Sequence, residues 1–100
     1  MALQHLTKQN YAEFARTNEV AIVDFWAEWC GPCRMLTPVL EQFNFQTGIA
    51  VGKVNVDEEE GLAATFGVEA IPTLLLYKNG KLVGKKIGYV GEQILKDWVK

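Results

Sequence analysis

The residues best suited to chemistry are the two cysteines of the chain, Cys30 and Cys33, which are separated only by Gly31 and Pro32. At this spacing one thiolate can attack a foreign disulfide while the second cysteine stays within bonding reach of the first. Such a pair is otherwise half of a metal site or a chance occurrence. The pair follows the apolar residues 21–27 and precedes a helical pattern, so chance is a poor explanation.

The position of the pair at the start of a predicted helix favours a reactive thiolate. Unpaired backbone N–H groups and the helix dipole stabilise negative charge there, which lowers the pKa of a cysteine. Pro32 suits the first helical position because it has no N–H to leave unpaired, and Gly31 permits a tight entry. The motif therefore predicts a nucleophilic cysteine.

A metal site is the main competing use of the cysteine pair. A structural zinc ion takes about four protein ligands, usually from a second Cys or His pair. The chain has no further cysteine, and its one histidine, His5, has no partner nearby in the sequence. We expect no metal site within one chain, which leaves only a metal shared between two chains.

The composition describes one small, mixed-charge domain. The chain has 100 residues, 49% of them hydrophobic, and a net charge of −2, so we expect a single monomeric domain over residues 1–100. The sequence has no basic stripe that would indicate nucleic-acid binding, and no apolar run approaches the roughly 20 residues of a membrane span. With no targeting segment, the expected location is cytoplasmic, where a cycling cysteine pair is more plausible than a structural disulfide.

The first half of the chain predicts a helix, a strand and a longer helix that together place the cysteines. Asn10 and Glu13 resemble a capping box for a helix running to about Thr17. Residues 21–27 are apolar on both faces apart from one aspartate, as in a central strand covered on both sides. The helix after the cysteines contains Pro38, which we expect to bend it.

The second half of the chain predicts three strands and two helices, and the last two strands form a hairpin. Residues 49–56 alternate as a strand, residues 57–60 open a helix, and that helix closes at Gly67. A strand at residues 71–77 reaches the turn signal Asn79-Gly80, a second strand at 82–87 returns antiparallel, and a helix follows Gly91. With a short strand near residues 3–6, the fold class is α/β, a mixed sheet of four to five strands flanked by about four helices.

Five motifs in order resemble one family along almost the whole chain. They are the residues 23–33, which read VDFWAEWCGPC, then 53–57, 71–73, 78–80 and Gly88. The chain resembles the thioredoxin family, which implies a thioredoxin fold and a general protein-disulfide reductase, with Cys30 as nucleophile and Cys33 as resolving thiol. The resemblance also implies no bound cofactor, disulfide-containing client proteins, and electrons from a thioredoxin reductase that uses NADPH and FAD. The Gly-Pro dipeptide is the one associated with reductants.

A proton acceptor for Cys33 is needed before that thiol can act. Asp24 lies inside the two-sided apolar strand, where desolvation should raise its pKa toward neutrality. The alternative is a buried acid that serves only a structural hydrogen bond or ion pair. By resemblance Lys53 is its partner on the neighbouring strand, and the alternative there is a solvated lysine.

The resemblance also implies a surface that holds the substrate. It places a cis peptide bond before Pro72 and leaves the Ile71 backbone as a strand edge on which a client peptide can lie. We interpret Trp26 as structural and Trp29 as part of this surface. Tyr89 is bulkier than the small residue that the resemblance leads us to expect at its position. The implied substrate-binding residues are Trp29, Gly31, Pro32, Ile71, Pro72, Gly88 and Tyr89.

The chain departs from the family pattern in two places. Residues 41–48 are about two residues shorter than the resemblance leads us to expect, and Phe45 falls off the apolar stripe. We therefore expect the second helix to end early or to have a rearranged last turn. Gly91 is a weak N-cap, so the last helix should begin loosely.

Two other functions compete with the reductase. A disulfide oxidase or isomerase would use the same cysteines at a higher potential, against the Gly-Pro signal. A redox-independent binding subunit would instead use the apolar rim around the cysteines to dock a partner.

Overall fold

The computed structural model describes residues 3–100. Strands and helices follow the predicted order, including the short first strand. The elements are β1 Gln4–His5, α1 Tyr11–Thr17, β2 Val20–Trp26, α2 Gly31–Thr47, β3 Ala50–Asn55, α3 Glu60–Thr65, β4 Thr73–Lys78, β5 Lys81–Ile87 and α4 Glu92–Trp98. Within the described residues, no helix has the length and apolar character needed to cross a membrane.

The sheet is mixed and has β2 at its centre. Its strand order is β1-β3-β2-β4-β5, with β1, β3 and β2 parallel and with β4 and β5 antiparallel to their neighbours. The register sets Asp24 opposite Lys53 on β3 and opposite Leu74 on β4. The predicted fold class is confirmed.

Each face of the sheet has its own apolar core. On one face Leu6, Phe14 and Phe25 form a cluster against which residues of α3 also pack. On the other face Ile22 packs with residues of α2 and with Leu95 of α4. Because both faces are covered, β2 is apolar in both directions, as the sequence predicts.

Helix α2 does not end early. It continues through Pro38 to Thr47, and its last turn is closed by Gly48, whose φ is 74° and whose N–H donates a 2.8 Å hydrogen bond to the Asn44 carbonyl oxygen. Phe45 lies within the helix and is 76% exposed. The expectation of an early end or a rearranged last turn is wrong, because glycine adopts the left-handed conformation at the C-terminus without steric cost and ends the helix cleanly.

Two helix starts also differ from the prediction. Asn10 precedes α1, but its side chain does not cap the helix. Its Oδ1 instead accepts a 2.7 Å hydrogen bond from the Thr7 N–H in the turn before the helix. Helix α3 begins at Glu60 rather than at Asp57, whose N–H instead donates to Asn55 Oδ1 at 2.9 Å. In both cases an asparagine side chain accepts a hydrogen bond from a backbone N–H within a turn, and not from one at a helix N-terminus.

Candidate active site

The two cysteines form a disulfide at the start of α2. Cys30 is the N-cap residue and Cys33 lies in the first turn, with Cα atoms 5.3 Å apart. The Cys33 N–H donates a 3.2 Å hydrogen bond to Cys30 Sγ. The same backbone N–H can stabilise a thiolate on Cys30 once the disulfide is reduced.

The two sulfurs differ in accessibility. Cys30 is 5% exposed, whereas Cys33 has no exposed surface. Around them lies a small apolar cluster that includes Ala27 and the partly buried Trp26, Val56 and Ile71. A partner arriving from solvent therefore meets Cys30 first.

Asp24 lies in the interior of the sheet without a hydrogen bond. It has no exposed surface, and neither carboxylate oxygen has a partner within the described residues. Burial raises the pKa of Asp24 to about 7, and the nearby Lys53 ammonium lowers it in part. The carboxyl can therefore exchange a proton near neutral pH.

Lys53 reaches toward Asp24 from the neighbouring strand. Its Nζ lies 4.0 Å from Asp24 Oδ2 and 4.3 Å from the centre of the Trp26 ring, and its side chain is 13% exposed. Burial lowers the pKa of Lys53, and attraction to Asp24 and Glu41 opposes that change. This geometry places the Lys53 ammonium beside Asp24 and largely out of solvent.

Thr37 connects Lys53 to the helix that carries the cysteines. Its Oγ1 accepts a hydrogen bond from Lys53 Nζ and lies 3.3 Å from the Cys33 carbonyl oxygen, to which it donates. Sequence reasoning missed this residue. The available signal was a polar side chain one helical turn after Cys33 on a face that is otherwise apolar.

The loop before β4 lies against the cysteines. The Ile71–Pro72 peptide bond is cis, as the family resemblance implied, and the Ile71 carbonyl oxygen lies 3.8 Å from Cys30 Sγ. The Gly88 N–H donates a 2.8 Å hydrogen bond to the Pro72 carbonyl oxygen, and Gly88 has a φ of 95°, which favours glycine. This loop and the end of β5 therefore form one side of the site.

Trp29 forms the other side and is anchored by a residue that sequence reasoning did not select. It is 68% exposed, and its Nε1–H donates a 2.9 Å hydrogen bond to Asp57 Oδ2. Trp29 and Ile71 line a groove of about 170 Å³ together with Val56, Ala63, Val68 and Glu69.

The remaining predicted rim residues differ in how they relate to the disulfide. Gly31 and Pro32 occupy the first two positions of α2, between the cysteines. Tyr89 is 48% exposed and directly follows Gly88 in the chain. The structure thus gathers most of the predicted surface around Cys30, with Tyr89 at its margin.

A redox-active cysteine pair at a helix N-terminus, on a mixed sheet covered by helices on both faces, defines a dithiol/disulfide oxidoreductase. The family model Thioredoxin matches residues 2–100. The chain belongs to the thioredoxin family.

Curated relatives and a solved structure agree with this assignment. The thioredoxin of Alicyclobacillus acidocaldarius is 44% identical over 90 residues, which cover 88% of this chain and 86% of the relative. Thioredoxin 2 of Chlorobaculum tepidum is 41% identical over 92 residues, covering 89% of this chain and 84% of the relative. A mutant thioredoxin from Halobacterium salinarum NRC-1 superposes with a TM-score of 0.93 at 38% identity, covering 98% of this chain and 88% of the other.

Proposed function

We propose that this thiol-disulfide oxidoreductase is a general reductant of protein disulfides, with Cys30 as the attacking residue. The observation that carries the proposal is the asymmetry of the pair. Cys30 retains exposed surface and receives a backbone N–H at a helix N-terminus, while Cys33 is fully enclosed. The first step is attack of the Cys30 thiolate on one client sulfur, which forms a mixed disulfide and releases the other client sulfur as a thiolate.

Cys33 completes the reaction. Its thiol loses a proton to Asp24, and the resulting thiolate attacks Cys30 Sγ and displaces the second client thiolate. The client gains two electrons, its two sulfurs take up protons, and the Cys30–Cys33 pair is oxidised to the disulfide. Lys53 acts in this step by tuning the proton affinity of Asp24.

The client chain binds on the side of the site formed by Ile71 and Pro72. The Ile71 carbonyl oxygen lies beside Cys30 Sγ, where an extended client segment can form main-chain hydrogen bonds as if adding a strand. Trp29 offers an aromatic surface on the opposite side. The rim is completed by Gly31, Pro32, Gly88 and Tyr89.

A reductase must return the pair to the dithiol form. We assign this role to a thioredoxin reductase that passes electrons from NADPH through FAD, and we place the protein, as one monomeric domain over residues 1–100, in the reducing cytoplasm. The two sulfurs themselves carry the electron pair, so the reaction needs no cofactor bound to this chain.

The test is the reduction of insulin disulfides by the wild-type protein, Cys30→Ser and Cys33→Ser, each with NADPH and a thioredoxin reductase. Wild type should turn over, Cys30→Ser should be inactive, and Cys33→Ser should stall as a mixed disulfide that can be isolated with its client. A Cys33→Ser protein that turned over at the wild-type rate would exclude the proposed mechanism. A measured potential of about −270 mV supports a reductant, whereas a much higher value supports an oxidase or isomerase.

A redox-independent binding subunit is the less favoured alternative. A buried, unpartnered carboxylate such as Asp24 is costly for a protein that only docks a partner through its rim. The double variant Cys30→Ser, Cys33→Ser separates the two functions, because full biological activity of that variant would support the binding role.

A further inference from the structure

The Lys53 ammonium lies among several polar and charged groups, and in the described part of the chain it forms a hydrogen bond with only one of them. Its Nζ donates to Thr37 Oγ1, while Asp24 Oδ2 is 4.0 Å away, beyond the usual range for an N–H···O bond. Within residues 3–100, both oxygens of Asp24 are left without a hydrogen-bond partner. The acceptor that fixes Lys53 is therefore a neutral hydroxyl on α2, even though a carboxylate lies close by.

The hydroxyl is itself held in place. Thr37 Oγ1 donates to the Cys33 carbonyl oxygen at 3.3 Å, so its lone pairs are directed away from the helix backbone. The Trp26 ring lies under the ammonium at 4.3 Å and limits the positions that the lysine can take.

We propose that Thr37 is a positioning residue whose hydroxyl holds the Lys53 ammonium short of a hydrogen bond with Asp24. The proposal rests on the proposed role of Asp24 as proton acceptor for Cys33. An ammonium bonded directly to the carboxylate would stabilise its charged form and weaken it as a base. Thr37 thus preserves the basicity of Asp24 by giving the ammonium another acceptor.

The other groups near Lys53 and Asp24 determine which partners the ammonium could contact if the Thr37 hydroxyl were absent. On α2, Glu41 attracts Lys53 from one helical turn beyond Thr37. On β1, His5 lies opposite Lys53 in register but also contacts Glu58, with His5 Nε2 3.7 Å from Glu58 Oε1. On β4 the residue opposite Asp24 is the apolar Leu74. Asp24, at 4.0 Å, is therefore a buried acceptor that the ammonium can reach once the hydroxyl is removed.

The test is Thr37→Val, which keeps the branched shape of the side chain and removes the hydroxyl. The Asp24 carboxyl is titrated by ¹³C NMR in the reduced protein, and resolution of a preformed mixed disulfide is followed against pH. We expect the pKa of Asp24 to fall by about one unit and the acidic limb of the rate profile to move with it. The plateau rate should fall by about threefold, since a weaker base removes the proton more slowly.

Two matched variants control for loss of the hydroxyl itself. Thr37→Ser retains the hydroxyl and should restore the wild-type titration. Thr17→Val removes a hydroxyl that donates to the Glu13 carbonyl oxygen at 2.8 Å in α1, and it should leave the profile unchanged. An unchanged pKa of Asp24 in Thr37→Val, or a rise that signals movement of the ammonium toward Glu41, overturns the proposal.

A double-mutant cycle with Lys53→Met separates positioning from a general effect on structure. If Thr37 acts through Lys53, Thr37→Val should not change the Asp24 titration in the Lys53→Met background. An equal shift in both backgrounds contradicts the proposal. The titration remains informative even if the wild-type protein fails to reduce insulin, so the failure of this inference and the failure of the proposed function are distinguishable.

Discussion

The indole N–H of Trp29 donates a 2.9 Å hydrogen bond to Asp57 Oδ2 and so joins the loop after β2 to the turn after β3. The strands that precede them are parallel neighbours, with Trp26 opposite Asn55 at their carboxyl ends. The exposed tryptophan beside Cys30 is therefore held by a carboxylate across the sheet edge. An aromatic surface in a fixed orientation loses less entropy when it binds a client.

Removal of the carboxylate should release this tryptophan. We expect Asp57→Ala to weaken the affinity for a client peptide by about fivefold, equivalent to the roughly 1 kcal/mol of one such hydrogen bond. Loss of the bond should also shift the Trp29 Nε1–H resonance in the ¹H NMR spectrum.

Asp57→Asn keeps an oxygen acceptor and should retain most of the affinity. Glu58→Ala is the matched control, because it removes an exposed carboxylate from the same turn without touching the indole. Equal losses of affinity in Asp57→Ala and Glu58→Ala would attribute the effect to overall charge and contradict the anchoring role.

The buried carboxyl of Asp24 should make stability depend on pH. Its pKa is about 7 in the folded protein and 3.8 as the unperturbed value, so the native state holds a proton that the unfolded chain has lost between these pH values. The free energy of unfolding should therefore fall as pH rises from about 4 to about 7. Asp24→Asn should remove this dependence and stabilise the oxidised protein at pH 8 by a few kcal/mol, with little effect at pH 4.

Chemical denaturation at several pH values measures this effect. Asp97→Asn is the control, because that carboxyl is 59% exposed and its substitution should change the free energy of unfolding by less than about 0.5 kcal/mol. A stabilisation by Asp24→Asn that was the same at pH 4 and pH 8 would show that proton linkage is not its source.

Lys53 should influence the pH dependence of catalysis through its effect on Asp24, without itself reacting. Its ammonium lowers the pKa of Asp24, so Lys53→Met should raise that pKa further. The acidic limb of the resolution rate should then move to higher pH, as measured by release of a client from a mixed disulfide. The exposed Lys85→Met serves as the control. A limb that moved to lower pH, or equally in both variants, would exclude a specific effect of Lys53 on Asp24.

Local sequence signals were sufficient for the parts of the fold with strong patterns. The two-sided apolar character of residues 21–27 identified the central strand, and Asn79-Gly80 identified the hairpin between β4 and β5. The helix after the cysteines followed from Pro32 and the apolar stripe. These features depend on the chain's own periodicity and turn chemistry, which tertiary contacts reinforce here.

The features that were missed depend on side-chain partners that residue spacing alone does not identify. Asn10 matches a capping box by spacing, but its side chain bonds to Thr7 and His5 in the structure. Thr37 looks like one more residue of a helix until β3 brings Lys53 against it. The turn at Asn10 is a local alternative to the capping box with nearly the same residues. The contact between Lys53 and Thr37 instead requires the strand order, which the sequence pattern alone does not supply.

The packing between β3 and α1 gives a final prediction about stability. An alanine Cβ at Gly52 would lie 2.8 Å from Leu6 Cγ and 3.1 Å from Phe14 Cε2, and both of these side chains are buried in the core. Because these distances are shorter than ordinary van der Waals contacts and both neighbours are buried, Gly52→Ala should destabilise the protein by about 1–3 kcal/mol in a denaturation experiment. Gly61→Ala is the matched control: it lies in α3 with no atom within 4 Å of the new Cβ, and it should stabilise the protein by about 0.5–1 kcal/mol through helix propensity. Equal stability of the two variants would contradict the close packing of Leu6 and Phe14 against Gly52.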